Sequence, residues 1–495
     1  VKPKFSFLIL ALLATMATAA ERPNLIVIMA DDLGFGDVSC NGSKTISTPN
    51  IDKVAAEGLR FTSGYCSAST CTPTRVSFLT GTYAFRVKNS GIAPPNGPAI
   101  IKPGTPTLAS MLKEQGYATA VIGKWHLGLG DPKPDWNGEL KPGPLEIGFD
   151  HCFLLPTTND RVPQVFVENH RVRNLDPADP LWVGDKIPAP DHPTGISHRD
   201  ELKMDWSFGH NGTIHNGISR IGFYTGGMKA RFRDQDLADE WVKQSDVWME
   251  ANKDKPFFLF LASHDIHVPR APHERFVGKS GMGPRGDCIV EFDWMVGEIM
   301  KTVERLGLSE KTMVVICSDN GPVLDDGYKD DAVEKLGAHQ PAGPFSGGKY
   351  SVLEGGTRTP FITWWKGRIQ PGVSDEMVCT IDLAASMAKL TGATLAKGGF
   401  LDSEDVSGAL LGQAGAKGRS VLVQQDNNGQ KLGLRAGRWK LVKESQGKGT
   451  GPASPGRHML FNLAEDPGEK TNVAKDHPEE FERMKKLLAG IVNRT

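Results

Sequence analysis

Cys71-Thr72-Pro73-Thr74-Arg75 sets a thiol just ahead of a proline and a guanidinium. Proline suits the first turn of a helix, where its missing N–H would be unpaired anyway. Cys71 would then stand at the positive end of that helix, near Arg75, a place that favours a bound anion and a nucleophile. These five residues alone also fit a capped helix start with a buried cysteine. Elsewhere, Asp31-Asp32 and Asp319-Asn320 offer only oxygen donors. That set suits Ca²⁺ or Mg²⁺, not zinc. Taken singly, an acid pair caps helices and Asp-Asn-Gly makes turns; their joint presence is what points to a metal.

The elements that must carry these residues are short, continuous apolar runs: Leu25 to Met29, Ala118 to Ile122, Phe257 to Ala262 and Met313 to Cys317. None alternates with period two, so each reads as a strand buried on both faces of a parallel sheet. Met111 to Gln115 and Glu291 to Leu306 have helical apolar spacing. The fold class is α/β, with a large, mostly parallel central sheet flanked by helices. The first run leads into Asp31-Asp32, the second into Lys124 and His126, the third into His264 and His267, the fourth into Asp319-Asn320. Sites in such sheets gather outside the carboxyl ends of the strands, so four polar clusters are expected to meet in one cleft.

Beyond about residue 400 the pattern changes. Arg419 to Val423, Lys431 to Leu434, Trp439 to Val442 and Met459 to Leu463 read as short strands, and Pro478 opens a helix with Phe481, Met484, Leu488 and Ile491 on one face. This predicts a small C-terminal antiparallel sheet plus helix over 401–495, behind a catalytic α/β domain over 21–400. The Pro-, Gly-, Asn- and His-rich stretch from Leu155 to Gly227 fits either a substrate-facing insertion or a partly disordered excursion.

Residues 1–20 combine Lys2 and Lys4, an apolar run from Phe5 to Leu13 and the small-residue end Ala17-Thr18-Ala19-Ala20, the pattern of a secretory signal peptide. The expected location is outside the cytoplasm: periplasmic or extracellular, or a lysosome-like compartment in a eukaryote. No other segment reaches membrane-spanning length. Lys plus Arg (57) balance Asp plus Glu (58) without a basic run, which argues against nucleic acid as partner. Seven scattered cysteines, none in a C-x-x-C pair, support neither a zinc ribbon nor a thioredoxin-like site.

The Cys71–Arg75 segment resembles the C-x-P-x-R signature of the type I, formylglycine-dependent sulfatases, arylsulfatase A-like members of the alkaline phosphatase superfamily. Further segments agree in order and spacing: NLIVIMADDLGFGD (Asn24 to Asp37), GKWHLG (Gly123 to Gly128), SHDIHVP (Ser263 to Pro269), SDNG (Ser318 to Gly321) and GGKYSVLEGGTRTP (Gly347 to Pro360). The resemblance covers nearly the whole chain after residue 20.

It implies that a separate maturation enzyme oxidises Cys71 to formylglycine (3-oxoalanine), which hydrates to a gem-diol. One hydroxyl attacks the sulfur of a sulfate ester, the alcohol leaves, and deprotonation of the other hydroxyl expels sulfate. It implies a divalent cation, usually Ca²⁺ with Mg²⁺ the alternative, held by Asp31, Asp32, Asp319, Asn320 and the modified Cys71. Arg75 and Lys124 would hold gem-diol and sulfate oxygens, His126 would be the base, and His267 and Lys349 would bind the bridging oxygen. Thr158 falls where relatives place a small hydroxyl against the sulfate, within a loosely matching Pro156-Thr157-Thr158-Asn159-Asp160. His264 is open between supporting the site and touching a sugar. Glu354, Gly355, Gly356 and Arg358 read as scaffold.

NGTIHNGISR (Asn211 to Arg220) resembles segments of bacterial sulfatases acting on sugars, so His215 and Arg220 are candidates to read sugar hydroxyls or a carboxylate; a polar surface loop is the alternative. The expected function is sulfate removal from a glycan or a small sulfate ester. The competing readings are a phosphomonoesterase or phosphonate hydrolase on the same scaffold, and a non-catalytic glycan-binding protein that keeps Cys71 as a thiol.

Overall fold

Alternate residues of the strand Asn24–Ala30 face opposite layers, and both layers are apolar. Leu25, Val27 and Met29 pack with Val76, Phe78 and Leu79 of the helix Cys71–Thr80. Ile26, Ile28 and Ala30 pack with Trp241 of the helix Leu237–Asn252 and with Ile289 and Phe292 of the helix Gly283–Arg305. A strand covered on both sides has no polar face to show, which is why its sequence lacks alternation.

The computed structural model describes residues 22–184, 186, 192–445 and 456–494. The expected leader at 1–20 lies outside the described residues. Asn24–Ala30 sits inside a 10-stranded sheet. Its parallel heart runs in the order Thr312–Ser318, Asn24–Ala30, Phe257–Ala262, Ala118–Lys124, His151–Leu155. Antiparallel strands extend it at both sides, Phe361–Trp364 next to Thr312–Ser318 and Val167–Glu168 next to His151–Leu155. The four strands that end in polar residues are therefore direct neighbours. Register aligns their ends: Ala30 pairs with Ser318, Met29 with both Cys317 and Ala262, and Ala262 with Gly123.

The C-terminal segment forms a 4-stranded antiparallel sheet, Val421–Gln425, Leu432–Ala436, Trp439–Ser445 and Gly456–Asn462. Met484 and Leu488 of the helix Pro478–Val492 bury against Leu422, Leu434, Leu441 and Leu460. This sheet also supports the loop that leads into Cys71. Gln425 N–H donates to the Ser67 carbonyl at 3.1 Å, and Ser69 N–H donates back to the Gln425 carbonyl at 2.9 Å. Buried Glu354 clamps the same junction, taking hydrogen bonds from Lys440 Nζ at 2.8 Å and from the Tyr65 hydroxyl, with Arg358 at 3.3 Å.

The Leu155–Gly227 stretch is an ordered insertion wherever it is described. Besides the hairpin Val167–Glu168 with Arg171–Val172 at the sheet edge, it holds the small antiparallel pairs Ile214–His215 with Ile218–Ser219 and Trp182–Gly184 with Phe223–Thr225. A bridge between Trp206 and Tyr328 ties it to the loop after Asn320. No helix among the described residues is long and apolar enough to cross a membrane.

Candidate active site

Cys71 is the first residue of its helix, and the capping residue Thr70 is extended. The helix is buried along its whole length, so its positive end opens inside the protein rather than to water. Cys71 Sγ lies 3.2 Å from His126 Nδ1. The other ring nitrogen, Nε2, is 3.2 Å from the Ala93 carbonyl, an acceptor only. A proton on Nε2 satisfies that carbonyl and leaves the Nδ1 lone pair aimed at position 71. Burial, helped by Lys124 and Arg161, pushes the His126 pKa well below the usual imidazole range, so the ring is neutral and can accept a proton. Burial also raises the Cys71 thiol, with Lys124 opposing. Desolvation outweighs the favourable helix end, and as a plain thiol Cys71 is a poor nucleophile.

The acids lie one step away. Asp31 and Asp32 directly follow the central strand, and Asp32 takes a left-handed φ of 65°. Lys124 Nζ pairs with Asp31 Oδ2. Lys349 Nζ bridges Asp32 at 2.9 Å and Asp326 at 2.7 Å. Burial opposes the Lys349 charge, but the two carboxylates outweigh it and hold its pKa well above normal. Arg75 donates to Asp319 Oδ2 from Nε (3.1 Å) and Nη2 (2.7 Å) and to the Lys124 carbonyl from Nη1 (3.0 Å). Burial, with Asp319 adding to it, raises the Asp31 pKa; Asp32 is likewise raised by burial, against the pull of Lys349.

Two buried oxygens in this cluster have no hydrogen-bond partner, Asp31 Oδ1 and Asn320 Oδ1. Leaving a buried polar oxygen unpaired is costly. Oxygen donors around crowded acids suit a hard divalent cation. Asp31, Asp32 and His267 each bring a ligand atom within 4.8 Å of the others. Asp319 reaches the cluster through its Oδ1, which accepts from Asp32 N–H at 3.3 Å, while its Oδ2 is taken by Arg75.

His267 Nε2 is 4.0 Å from Asp32 Oδ2, and its Nδ1 is 2.6 Å from the Val268 carbonyl. Thr158 Oγ1 lies 3.3 Å from the same Nδ1. Burial, then Lys349 and Lys124, pushes the His267 pKa well below normal, so the ring is neutral at rest.

The other expected substrate contacts face inward. His264 Nδ1 accepts from Trp241 Nε1 at 3.1 Å, which fixes its ring against the helix layer. His215 spends both ring nitrogens inside the insertion, on the Phe232 carbonyl (2.8 Å) and the Tyr224 hydroxyl (2.7 Å). Arg220 is fully buried and pairs with both Asp234 oxygens at 2.6 and 2.7 Å. In this arrangement His215 spends both ring nitrogens on the insertion, whereas Arg220 ties Asp234 through Nη2 and leaves Nε and Nη1 buried without a partner.

Several residues that the motifs do not mark also reach the site. Asp326 holds Lys349 and accepts from the Tyr350 hydroxyl at 3.0 Å. Asn159 Nδ2 donates to the His267 and Pro269 carbonyls, both at 3.2 Å. Asp160 binds Arg161 and His210. The acidic turn Asp325-Asp326-Gly327 shortly after Asn320 is the only sequence signal for Asp326.

The family model described as sulfatase matches residues 23–393. The chain is 45% identical over 487 residues to an N-acetylgalactosamine-6-O-sulfatase of Bacteroides thetaiotaomicron, covering 96% of this chain and 94% of that one. It is 32% identical over 502 residues to arylsulfatase A of Homo sapiens, covering 97% and 89%. A structure solved in work on glycosaminoglycan metabolism by Bacteroides thetaiotaomicron superposes with a TM-score of 0.92 at 44% identity, covering 96% of this chain and 100% of that one.

Proposed function

This chain belongs to the sulfatase family and is a sulfuric ester hydrolase, and we propose that its substrate is a sulfated amino sugar, N-acetylgalactosamine 6-sulfate or a glycan ending in it. The 45% identical relative of that name supports the sugar. The observation that carries the chemistry is the His126–Cys71 contact: a neutral ring, tautomer fixed by Ala93, with its free lone pair 3.2 Å from Sγ.

Cys71, once oxidised to formylglycine by a maturation enzyme and hydrated, would supply one hydroxyl to attack sulfur and a second to expel sulfate. Asp31, Asp32, Asp319 and Asn320 would hold one divalent cation, Ca²⁺ or Mg²⁺, whose charge draws the sulfate oxygens and acidifies a hydroxyl at position 71. His126 Nδ1 takes the proton from residue 71. Arg75 spends three of its five N–H groups on Asp319 and the Lys124 carbonyl, which fixes the acid and leaves two for a sulfate oxygen. Lys124 and Lys349 neutralise Asp31 and Asp32 and present positive charge to an incoming anion. His267 and Lys349 would both bind the bridging oxygen; Lys349 stays charged and carries a proton for the departing alcohol, whereas the depressed pKa of His267 leaves its ring neutral at rest. Thr158 sits beside it. We assign the leader at 1–20 to export, which would bring the enzyme to sugars outside the cytoplasm.

The test is sulfate release from N-acetylgalactosamine 6-sulfate and from its 6-phosphate, using protein coexpressed with a maturation enzyme and mass measurement of the residue-71 peptide. Sulfate from the first ester, abolished in Cys71→Ala, supports the reading. Phosphate release with no sulfate, from protein whose residue 71 is converted, would overturn it in favour of a phosphomonoesterase. The open oxygens of the acid cluster and the inward aim of His126 speak against a merely binding role.

A further inference from the structure

The turn that touches His267 continues into a polar group with no part in the chemistry above. Arg161 N–H donates to the Thr158 carbonyl at 2.9 Å, so Arg161 is one turn from the hydroxyl beside His267. Its Nη1 donates to both Asp160 oxygens at 2.8 and 2.9 Å. His210 Nε2 meets Asp160 Oδ2 at 3.0 Å from the far side. Asp160 and His210 are buried, while the Arg161 side chain is 15% exposed. Among the described residues, Arg161 Nε and Nη2 have no protein partner. Asp160 Oδ1 accepts only from Arg161, so it keeps a free lone pair.

This group is built, not incidental. Gln164 Nε2 and Thr157 Oγ1 both donate to the Arg161 carbonyl at 3.0 Å. The His210 ring is seated on Tyr328 at 4.5 Å, with Nδ1 at 2.8 Å from the Phe208 carbonyl. Phe208 itself is 54% exposed beside that ring. Arg161 is also near enough for its charge to act on Cys71 and His126. A side chain that reaches solvent, lies within electrostatic reach of the reacting residue and keeps unused N–H groups beside a carboxylate lone pair is arranged for a ligand.

The chemistry of that ligand follows from the pairing. A free arginine fork would take a carboxylate or a second sulfate. Here Asp160 already neutralises the fork and would repel another anion. A hydroxyl fits, because it can donate to Asp160 Oδ1 and accept from Arg161 Nε or Nη2 together. We propose that Asp160, Arg161 and His210 form a sugar-reading site that binds a ring hydroxyl of the sulfated residue, with Arg161 and Asp160 in contact and His210 positioning Asp160. The assignment rests on the glycan reading above and names the residues that would select the sugar.

The experiment is a cycle between protein and substrate, read as kcat/KM. The substrates are N-acetylgalactosamine 6-sulfate, its analogues each lacking one ring hydroxyl, and the small aryl ester 4-nitrocatechol sulfate. The proteins are the matured wild type, Arg161→Met and Arg161→Lys. Arg161→Met should lose about 30-fold of its sugar-over-aryl preference, with Arg161→Lys between it and wild type, since lysine keeps the charge but not the fork. For one analogue, wild type should show a similar loss, and the same deletion should cost Arg161→Met under about threefold more. An unchanged sugar-over-aryl ratio, or additive losses for every hydroxyl, would overturn the site while leaving the glycan reading in place. Wild type that cleaves the aryl ester and no sugar would overturn both. If Arg161→Met fails to fold, the wild-type and Arg161→Lys arms complete the same cycle.

Discussion

Asn320 Nδ2 donates to Asp32 Oδ1 at 2.7 Å and to the Gly321 carbonyl at 2.9 Å. Both amide hydrogens are thereby used, and Oδ1 is left buried without a partner. One contact orients the amide and the carboxylate that the proposed cation site would use together. Asn320→Ala removes the oxygen and frees Asp32 together. Bound Ca²⁺ per chain, measured after desalting at a fixed free-ion level, should fall, with at least about tenfold weaker affinity by titration. Unchanged metal content would remove Asn320 from the cation site.

His126→Asn keeps a polar group near position 71 but cannot act as a base. Its kcat on N-acetylgalactosamine 6-sulfate should fall about 10²–10⁴-fold, the usual range for a lost general base. KM should change far less, because His126 is packed against Cys71 and Ala93 rather than against a sugar. A loss confined to KM would show that the ring binds substrate instead.

Glu469 offers a pH test at a carboxylate outside the proposed cation ligands. Its Oε2 accepts from Glu354 N–H at 2.6 Å, and its Oε1 lies 3.9 Å from Lys440 Nζ. Burial raises its pKa to about 7, against the pull of Lys440 and with Glu354 adding to the rise. The folded protein thus keeps a proton that the unfolded chain releases near 4.5. That stability is complete below about pH 4.5 and is lost as pH climbs through 7. Glu354 is shifted the opposite way, burial being outweighed by Lys440, Arg435 and Arg358, so it stays ionised across this window and adds no slope. Glu469→Gln should gain on wild type between pH 5 and 8 by ~2 kcal/mol in chemical denaturation. A difference that does not vary with pH would rule out the buried proton.

The parallel heart of the sheet and its four polar strand ends are legible in the sequence because two physical facts mark them. Strands buried on both faces read as unbroken apolar runs, and the chain then turns polar at their carboxyl ends. Strand order is not legible, since nothing in Met313 to Cys317 says that it lies beside Asn24–Ala30. The insertion shows the sharper limit. His215 and Arg220 draw attention by residue type, yet the His215 ring is used up on Tyr224 and Phe232, while Arg220 spends Nη2 on Asp234 and keeps Nε and Nη1 buried without a partner. Asp160-Arg161 looks like an ordinary adjacent ion pair until the fold brings His210, 50 residues later, onto the same carboxylate. Polarity marks where hydrogen bonds are needed, but only packing decides whether protein or ligand supplies them.

Gly327 tests the seat of His210 while leaving Asp160 and Arg161 unsubstituted. A Cβ at Gly327 would fall 1.8 Å from His210 Nδ1 and 2.1 Å from its Cε1, at a φ of 109°. The ring cannot retreat easily, because Tyr328 covers one face and Asp160 holds Nε2. Gly209 is the matched comparison: it adjoins His210 and has a left-handed φ of 69°, but a Cβ there meets nothing within 4 Å. Gly209→Ala therefore carries only the backbone cost, about 1 kcal/mol in stability. Gly327→Ala carries that cost and also drives His210 from Asp160, freeing Arg161 to rotate. Its sugar-over-aryl kcat/KM ratio should drop about tenfold or more, while Gly209→Ala keeps the wild-type ratio at a similar fraction folded. If both alanine variants lose the ratio equally, general loosening of the insertion accounts for the effect. If neither does, His210 does not position Asp160 for the substrate.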